Sequence, residues 1–330
     1  MKNKKHLTIY MGSACNMDCK YCHREPDVLE GFRGISPKVL DAVRGRDDLI
    51  IKFMGGEPTL YMDDIKKVVE AAPDCEFVIA TNGIDLDKYL PYFQEHSFLV
   101  VLSYDGGAAD LRGYDPLTKV IDYSFVSIST TLYHGNTDFD AILRNFAAKE
   151  RIVGRTLTFF PHIMHVTNKE NAPYALTLED YESIIKQMEA YTTKALDIWE
   201  QYGIRDRLYD GILNFFTRRE EMAFEQGETY CSNKDLIKID AAGRRHPCQY
   251  IRDVTLGENW LDEQKDLLMP KCRKCPVYDM CGGACYVSTE RILECYFYRT
   301  LFQWWKGGPS ERYRNLSEPD PKERAGEAEH

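Results

Sequence analysis

The sequence predicts an α/β protein: a parallel sheet with crossover helices, followed by a cysteine-rich module. Three observations carry that expectation. Short β-branched runs alternate with amphipathic segments through the first half of the chain. The intervals between runs are long enough for a helix each time, the connection that parallel strands need. Seven of the eleven cysteines then fall between residues 231 and 295, a change in composition that marks a second kind of unit.

Strands are expected at Leu7–Met11, Leu49–Met54, Phe77–Thr81, Phe98–Ser103, Ser124–Thr131 and Thr156–Ile163. Amphipathic segments lie between them, around Pro37–Val43, Met62–Ala72, Leu86–Gln94 and Phe139–Lys149. Six such units are too few to close an eight-fold barrel, and in parallel barrels the chemistry gathers at the carboxyl ends of the strands. From Leu178 to about Phe224, apolar positions recur at intervals of three and four, with Tyr181, Ile184, Ile185, Met188, Leu196 and Trp199 in one stripe. That is the pattern of a half-buried helix covering the sheet. After Phe302, Gln-Trp-Trp-Lys-Gly-Gly-Pro gives way to charged residues without apolar periodicity, the composition of a polar, mobile tail. The expected units are 1–177, the sheet domain; 178–224, a helical connection; 225–302, the cysteine module; and 303–330, the tail.

The net charge of −10 argues against non-specific nucleic-acid binding and slightly favours a neutral or basic substrate. No stretch approaches the roughly 18 apolar residues of a membrane span. Met1-Lys-Asn-Lys-Lys-His is basic, but the apolar run after it is too short for a signal peptide. Cysteines in such a chain point to metal ligation in a reducing, cytoplasmic setting rather than to disulfides.

The first strand leads into Cys15-Asn-Met-Asp-Cys19-Lys-Tyr21-Cys22. Structural zinc sites are closed by four ligands. A [4Fe–4S] cubane held by three thiolates leaves one iron for another ligand. A partial zinc site, or three unrelated buried cysteines, is the plainer alternative. Strand two ends in Gly55-Gly56-Glu57-Pro58. Its glycines allow close backbone approach to a ligand, and its carboxylate is a possible acceptor for an ammonium group; a simple turn explains the same residues. Strand three ends in Thr81-Asn82-Gly83, and strand four in Ser103-Tyr-Asp105-Gly106.

With Tyr21 before the third cysteine and Gly55-Gly56-Glu57 one βα unit later, the sequence resembles the radical S-adenosylmethionine (SAM) enzymes. That resemblance implies a partial (β/α)6 barrel and a first [4Fe–4S] cluster on Cys15, Cys19 and Cys22. It also implies that SAM is bound by Tyr21, Gly55, Gly56, Glu57, Thr81, Asn82 and Ser103. Thr130 is a further contact from strand five. Arg112, or less directly Arg144, is a candidate partner for the SAM carboxylate. Asp105, His162 and His165 are candidate catalytic groups near the barrel mouth; a turn for Asp105 and satisfied structural roles for the histidines are the alternatives.

The remaining cysteines run Cys231-x11-Gly243-x4-Cys248, then Cys272-x2-Cys275-x5-Cys281-x3-Cys285, then Cys295. Asp240-Ala-Ala-Gly243-Arg reads as a hairpin turn. One or two zinc sites are the plain alternative. The whole string, however, is similar to the SPASM extension of radical SAM enzymes. The resemblance implies two auxiliary [4Fe–4S] clusters: an outer one on Cys272, Cys275, Cys281 and Cys295, and an inner one on Cys231, Cys248 and Cys285. The inner set lacks a fourth cysteine. Either one iron is open, or a residue such as Glu225 or Glu228 serves. Cys75 is left over, at the amino end of its strand and away from the chemistry. Since radical peptide epimerases need an active-site thiol, this placement weighs against epimerisation.

The function the resemblance implies is a peptide maturase. A 5′-deoxyadenosyl radical takes a substrate hydrogen, and a ribosomally made peptide is oxidatively modified, by a thioether or carbon–carbon crosslink. Expected partners are the peptide or protein substrate and an external one-electron reductant of flavodoxin or ferredoxin type. Strand one starts at residue 7, so leader recognition is expected to be direct, by a separate leader-binding protein, or unnecessary. The alternatives are an anaerobic sulfatase-maturing enzyme, against which Gln249 counts because that family has an aspartate there, an enzyme acting on a small molecule, and a non-enzymatic Fe–S electron carrier.

Overall fold

The computed structural model describes residues 4–23, 34–106, 109–112, 114–120, 123–154, 156–225, 228–229, 235–246, 270–285 and 288–317. The sheet domain contains β1 (Lys5–Tyr10), α1 (Pro37–Val43), β2 (Leu49–Met54), α2 (Met62–Ala71), β3 (Glu76–Thr81), α3 (Leu86–Glu95) and β4 (Leu99–Ser103). It continues through α4 (Ala109–Arg112), β5 (Val126–Leu132), α5 (Phe139–Val153) and β6 (Phe159–Ile163). After it come α6 (Leu178–Tyr202), α7 (Arg207–Met222), β7 (Leu236–Asp240), α8 (Tyr278–Cys281), α9 (Arg291–Lys306) and α10 (Pro309–Ser317).

All strand pairings are parallel, in the order β6-β5-β4-β3-β2-β1-β7. The six expected strands are present. The seventh, β7, was anticipated only as one arm of a hairpin in the cysteine module. It pairs with β1 from His6↔Leu236 to Tyr10↔Asp240. Its partner lies over two hundred residues away, so no local pattern announces the pairing.

Alternation along the strands gives the sheet two different faces. Ile9, Ile51, Phe53, Ile79, Val100 and Ile128 are wholly buried and join one core with Val43 of α1, Ile65 of α2, Phe93 of α3 and Phe146 of α5. Phe53, Phe77 and Phe98 stack within that core, with Phe77 and Phe98 at 5.2 Å between centroids. The opposite face, with Thr8, Lys52, Val78, Val101, Ser129 and His162, is reached by solvent among the described residues. A parallel sheet normally has both faces covered. One covered face and one open face make the wall of a partial barrel.

Local signals set the helix ends. Asp138 caps α5 through Ala141 N at 3.0 Å, and Thr177 with Asp180 forms a capping box on α6. The single helical connection expected over 178–224 is two helices, broken after Tyr202 where Gly203 takes φ 67° and Asp206 caps α7. Gly211 lets α7 lie against β6: a Cβ there would sit 1.7 Å from the Phe159 carbonyl oxygen.

The expected mobile tail from 303 is corrected by the structure. Helix α9 continues to Lys306 and α10 runs from Pro309 to Ser317. Arg312 reaches Asp197 at 2.8 Å and Glu200 at 2.6 Å on α6, and Tyr313 meets the Trp199 ring at 5.8 Å. Two half-buried aromatics and a guanidinium nitrogen shared by two carboxylates supply the interactions that a count of apolar residues overlooks. Residues 318–330 lie outside the described residues.

Candidate active site

The loop after β1 carries Cys15, Cys19 and Cys22 at the carboxyl edge of the sheet. All three are partly exposed, and the described cysteines form no disulfide. Cys22 N bonds to the Cys19 carbonyl at 3.0 Å. The loop's stem extends the β1–β2 ladder, with Gly56 N on the Gly12 carbonyl and Glu57 N on the Ala14 carbonyl, each at 2.8 Å. This explains Gly56: a Cβ on it would lie 2.2 Å from the Ala14 oxygen. The Tyr61 hydroxyl accepts from Ala14 N at 3.1 Å. Asn82 Nδ2 donates to Asn16 Oδ1 at 2.8 Å and approaches Cys15 Sγ at 3.8 Å, while Asn16 bonds to Asp85 at 3.0 Å. Asn82 therefore touches the cysteine loop directly. An N–H aimed at a thiolate sulfur tunes the potential of a cluster held there.

Glu57 is engaged within the chain. Its side chain is 1% exposed and already holds four donors. Thr59 N at 3.0 Å, Thr59 Oγ1 at 2.7 Å and Thr81 Oγ1 at 2.7 Å meet Oε1; Asn82 N meets Oε2 at 2.8 Å. Burial pushes its carboxyl up, against the pull of those hydrogen bonds. Glu57 and Thr81 thus lock the ends of β2 and β3 together rather than reaching outward.

Tyr21, Asp105 and Arg112 form one buried cluster. The Tyr21 hydroxyl donates to Asp105, and Arg112 donates to the Tyr21 oxygen. Arg112 also meets both Asp105 oxygens at 3.3 Å, and Thr131 N donates to Asp105 at 3.2 Å. Asp105 is 2% exposed. Burial pulls the Arg112 guanidinium down, but the charges of Asp105, Tyr21 and Cys19 and the hydrogen bond to Asp105 together outweigh it and the net shift is upward. Burial pushes Cys19, beside them, up to about 11, with Arg112 opposing. The Tyr21 ring stacks on Tyr133 at 4.7 Å. Asp105 is therefore not a free catalytic carboxylate, and the charge of Arg112 is engaged within the chain; together they brace the cysteine loop against the ends of β4 and β5. Arg144 lies exposed on α5.

Strand alternation sorts the remaining candidates. Thr130 is wholly buried on the helix side, its hydroxyl donating to the Tyr104 carbonyl at 2.8 Å, so it does not line the open face. Ser103, its partner Ser129 and Thr131 do. His162, opposite Thr131, is reached by solvent. Desolvation by the surrounding wall, with the charges of Lys52, His165 and Arg219, lowers its pKa to about 4. Lys52 is lowered by burial and by Arg218. Lys52 was not singled out from the sequence, although a lysine inside Leu-Ile-Ile-Lys-Phe-Met was a visible signal. Lys238 stands one strand beyond Thr8 in the same row, with its amine shut off from solvent. His165 does not face a free mouth; its Nδ1 pairs with Glu294 at 2.8 Å.

In the second cysteine group, burial pushes the Cys281 thiol up to about 12. Arg219 opposes, and Cys295, Cys272 and Cys275 close by add to the rise. Those four thiols thus share one neighbourhood, a donor set that fits an iron–sulfur cluster. The expected hairpin is present: Gly243 N bonds to the Asp240 carbonyl at 2.9 Å and His246 N to the Lys238 carbonyl at 3.0 Å. Its turn is tied to β1 through Ala241 N on the Tyr10 carbonyl at 3.0 Å. Cys231, Cys248 and Gln249 lie outside the described residues. Cys75 sits at the amino end of β3, 8% exposed, its thiol on the Arg46 carbonyl at 3.2 Å.

Comparison with known proteins agrees with this geometry. Residues 9–126 match the Radical SAM superfamily. A probable GTP 3′,8-cyclase of Archaeoglobus fulgidus is 31% identical over 94 residues, 27% of this chain and 31% of that protein's own length. A probable GTP 3′,8-cyclase of Pyrococcus abyssi is 23% identical over 275 residues, 75% of this chain and 85% of that protein. Among solved structures, native anSMEcpe with bound AdoMet and Cp18Cys peptide matches with a TM-score of 0.65 at 19% identity, over 94% of this chain and 99% of that one.

Proposed function

Since residues 9–126 form a radical SAM domain, we propose that the chain is a radical SAM peptide maturase with a SPASM-type extension. Cys15, Cys19 and Cys22 would hold the first [4Fe–4S] cluster. Cys272, Cys275, Cys281 and Cys295, and separately Cys231, Cys248 and Cys285, would hold two auxiliary clusters. When bound, the first cluster supplies one electron to SAM, whose cleavage yields methionine and a 5′-deoxyadenosyl radical that takes a substrate hydrogen. The chain's own part is placement. Tyr21, Asp105 and Arg112 fix the cysteine loop, Glu57 and Thr81 fix the strand ends beside it, and Asn82 sets the environment of Cys15. Ser103, Ser129 and Thr131 on the open face would contact the cosubstrate. Holding reacting groups in line and excluding water are what such a wall contributes.

The observation that supports the auxiliary clusters is the gathering of four thiols around Cys281, which a single-cluster enzyme has no need of. They offer electrons a way out, making the overall reaction an oxidation. A flavodoxin- or ferredoxin-type reductant, a reducing cytoplasm, and direct or partner-assisted binding of the peptide complete the reading. A second reading has its own observation. Curated relatives are named as GTP 3′,8-cyclases, which suits an anionic small-molecule substrate above the wall.

Anaerobic reconstitution tests both. Three cubanes require about twelve irons per chain, and reduction with SAM should release 5′-deoxyadenosine. Replacing Cys15, Cys19 and Cys22 together by Ala should abolish that release while the auxiliary irons stay. Four irons, or zinc, would sink the auxiliary clusters. Stimulation of SAM cleavage by nucleoside triphosphates but by no peptide would favour the second reading.

A further inference from the structure

The outer cysteine group is set in a surface whose charge is opposite to that of the chain as a whole. The turn Pro270–Lys274 carries Cys272 between Lys271 and Arg273, and Cys275 follows Lys274. Lys271, Arg273 and Lys274 are all exposed. On α9, Arg291, Cys295 and Arg299 recur at intervals of four and so share one face. The charges of Lys271, Arg299 and Arg291 all bear on Cys295, which gathers cations from both elements around one thiol. No carboxylate pairs with Lys271, Lys274 or Arg299 among the described residues. The carboxylate of Asp279, two residues before Cys281, is taken by Lys306 at 2.6 Å. A cationic patch thus stands on a chain of net charge −10.

Apolar surface lies beside these cations. Ile292 is 77% exposed and Tyr296 39%. They stand one turn apart on α9, and Tyr296 adjoins Cys295. Cys275, Cys281 and Cys295 are themselves only partly buried. An exposed aliphatic–aromatic pair rimmed by charge has the composition of a protein interface. Electron transfer asks only that two redox groups come close, so a partly exposed cluster beside such a rim suffices for it.

We propose that this face is where an acidic one-electron carrier protein docks, its carboxylates on Lys271, Lys274 and Arg299 and its apolar contact on Ile292 and Tyr296. The inference rests on the reading that Cys272, Cys275, Cys281 and Cys295 hold a cluster. One electron leaves the reduced cluster and reduces the oxidised carrier; no bond is made or broken. Complementary charge of this kind steers the encounter and acts mainly on the association rate.

The test uses the reconstituted full chain and, as probe, an oxidised flavodoxin of strongly acidic surface, with association and dissociation followed on a biosensor at low and high salt. Association with the parent chain should slow about tenfold or more as salt screens the patch. Lys271→Glu, Lys274→Glu and Arg299→Glu together should slow association at low salt by about tenfold or more and remove most of the salt dependence. Arg44→Glu, Lys67→Glu and Lys88→Glu reverse three exposed cations on or beside α1, α2 and α3. That control set changes the net charge equally and should associate like the parent. Ile292→Ala with Tyr296→Ala should speed dissociation and keep the salt dependence. Iron is measured in every sample. Should the glutamate set lose iron, Lys271→Gln, Lys274→Gln and Arg299→Gln carry the comparison, with a smaller slowing. If the patch variants keep their iron and associate like the parent, or slow no more than the control set, docking is overturned while the cluster reading stands. A polyglutamate peptide that binds as tightly as the flavodoxin likewise overturns it. A parent with only about four irons per chain overturns the cluster reading itself.

Discussion

His162 is open to solvent on the sheet wall and close enough to Lys52 to feel its charge. Its pKa of about 4 makes it neutral at physiological pH, and too weak a base to serve well as a proton acceptor there. The linkage has a definite sign. The unfolded chain takes up a proton on this ring near pH 6.5 and the folded chain does not until about 4. Its contribution to stability is therefore complete above about pH 6.5 and is lost as the pH falls toward 4. Urea unfolding followed between pH 7 and pH 4.5 should fall less steeply in His162→Phe than in the parent chain. An unchanged slope would show that the ring is not held neutral. Asp105 and Arg112 teach the complementary point. Both looked like site groups, and each satisfies the other within a buried cluster.

At the scale of elements, the ends of β1, β2 and β3 act as one clamp on the cysteine loop. Gly56 is the tightest point, since any side chain there meets the Ala14 carbonyl. Gly56→Ala should push the loop away and reduce iron bound to the first cluster, by up to about four atoms per chain. The auxiliary irons serve as the reference in the same sample, and full retention would refute the clamp. The presence of the first six strands and most element boundaries were legible because alternating apolar residues and turn glycines are local signals. Whether Thr130 or its neighbours faced the site was not. A strand presents two faces, and the side that the helices cover is decided by packing across the sheet.

For the whole molecule, the C-terminal region is built into the sheet domain rather than appended to it. Strand β7 extends the sheet beyond β1, and α10 docks on α6 through Arg312 and Tyr313. Deleting residues 309–330 should lower stability by about 2 kcal/mol, mostly from the apolar contacts of Tyr313 and Leu316. The half-exposed ion pairs of Arg312 add little. Denaturant unfolding measures this, and an unchanged midpoint would mean that α10 contributes nothing.

The sequence by itself determined the α/β class, the six strands, the three-cysteine loop and the second cysteine group. Each of these is written in short-range spacing, where a handful of neighbouring residues must satisfy one geometry. Tertiary structure alone decided that β7 joins the sheet, that Tyr21, Asp105 and Arg112 meet, that Glu57 turns inward, and that His165 and Glu294 converge on Cys285. Those are contacts between residues tens to hundreds of positions apart. Which buried polar group finds which partner follows from how the elements pack, and no interval in the sequence encodes it.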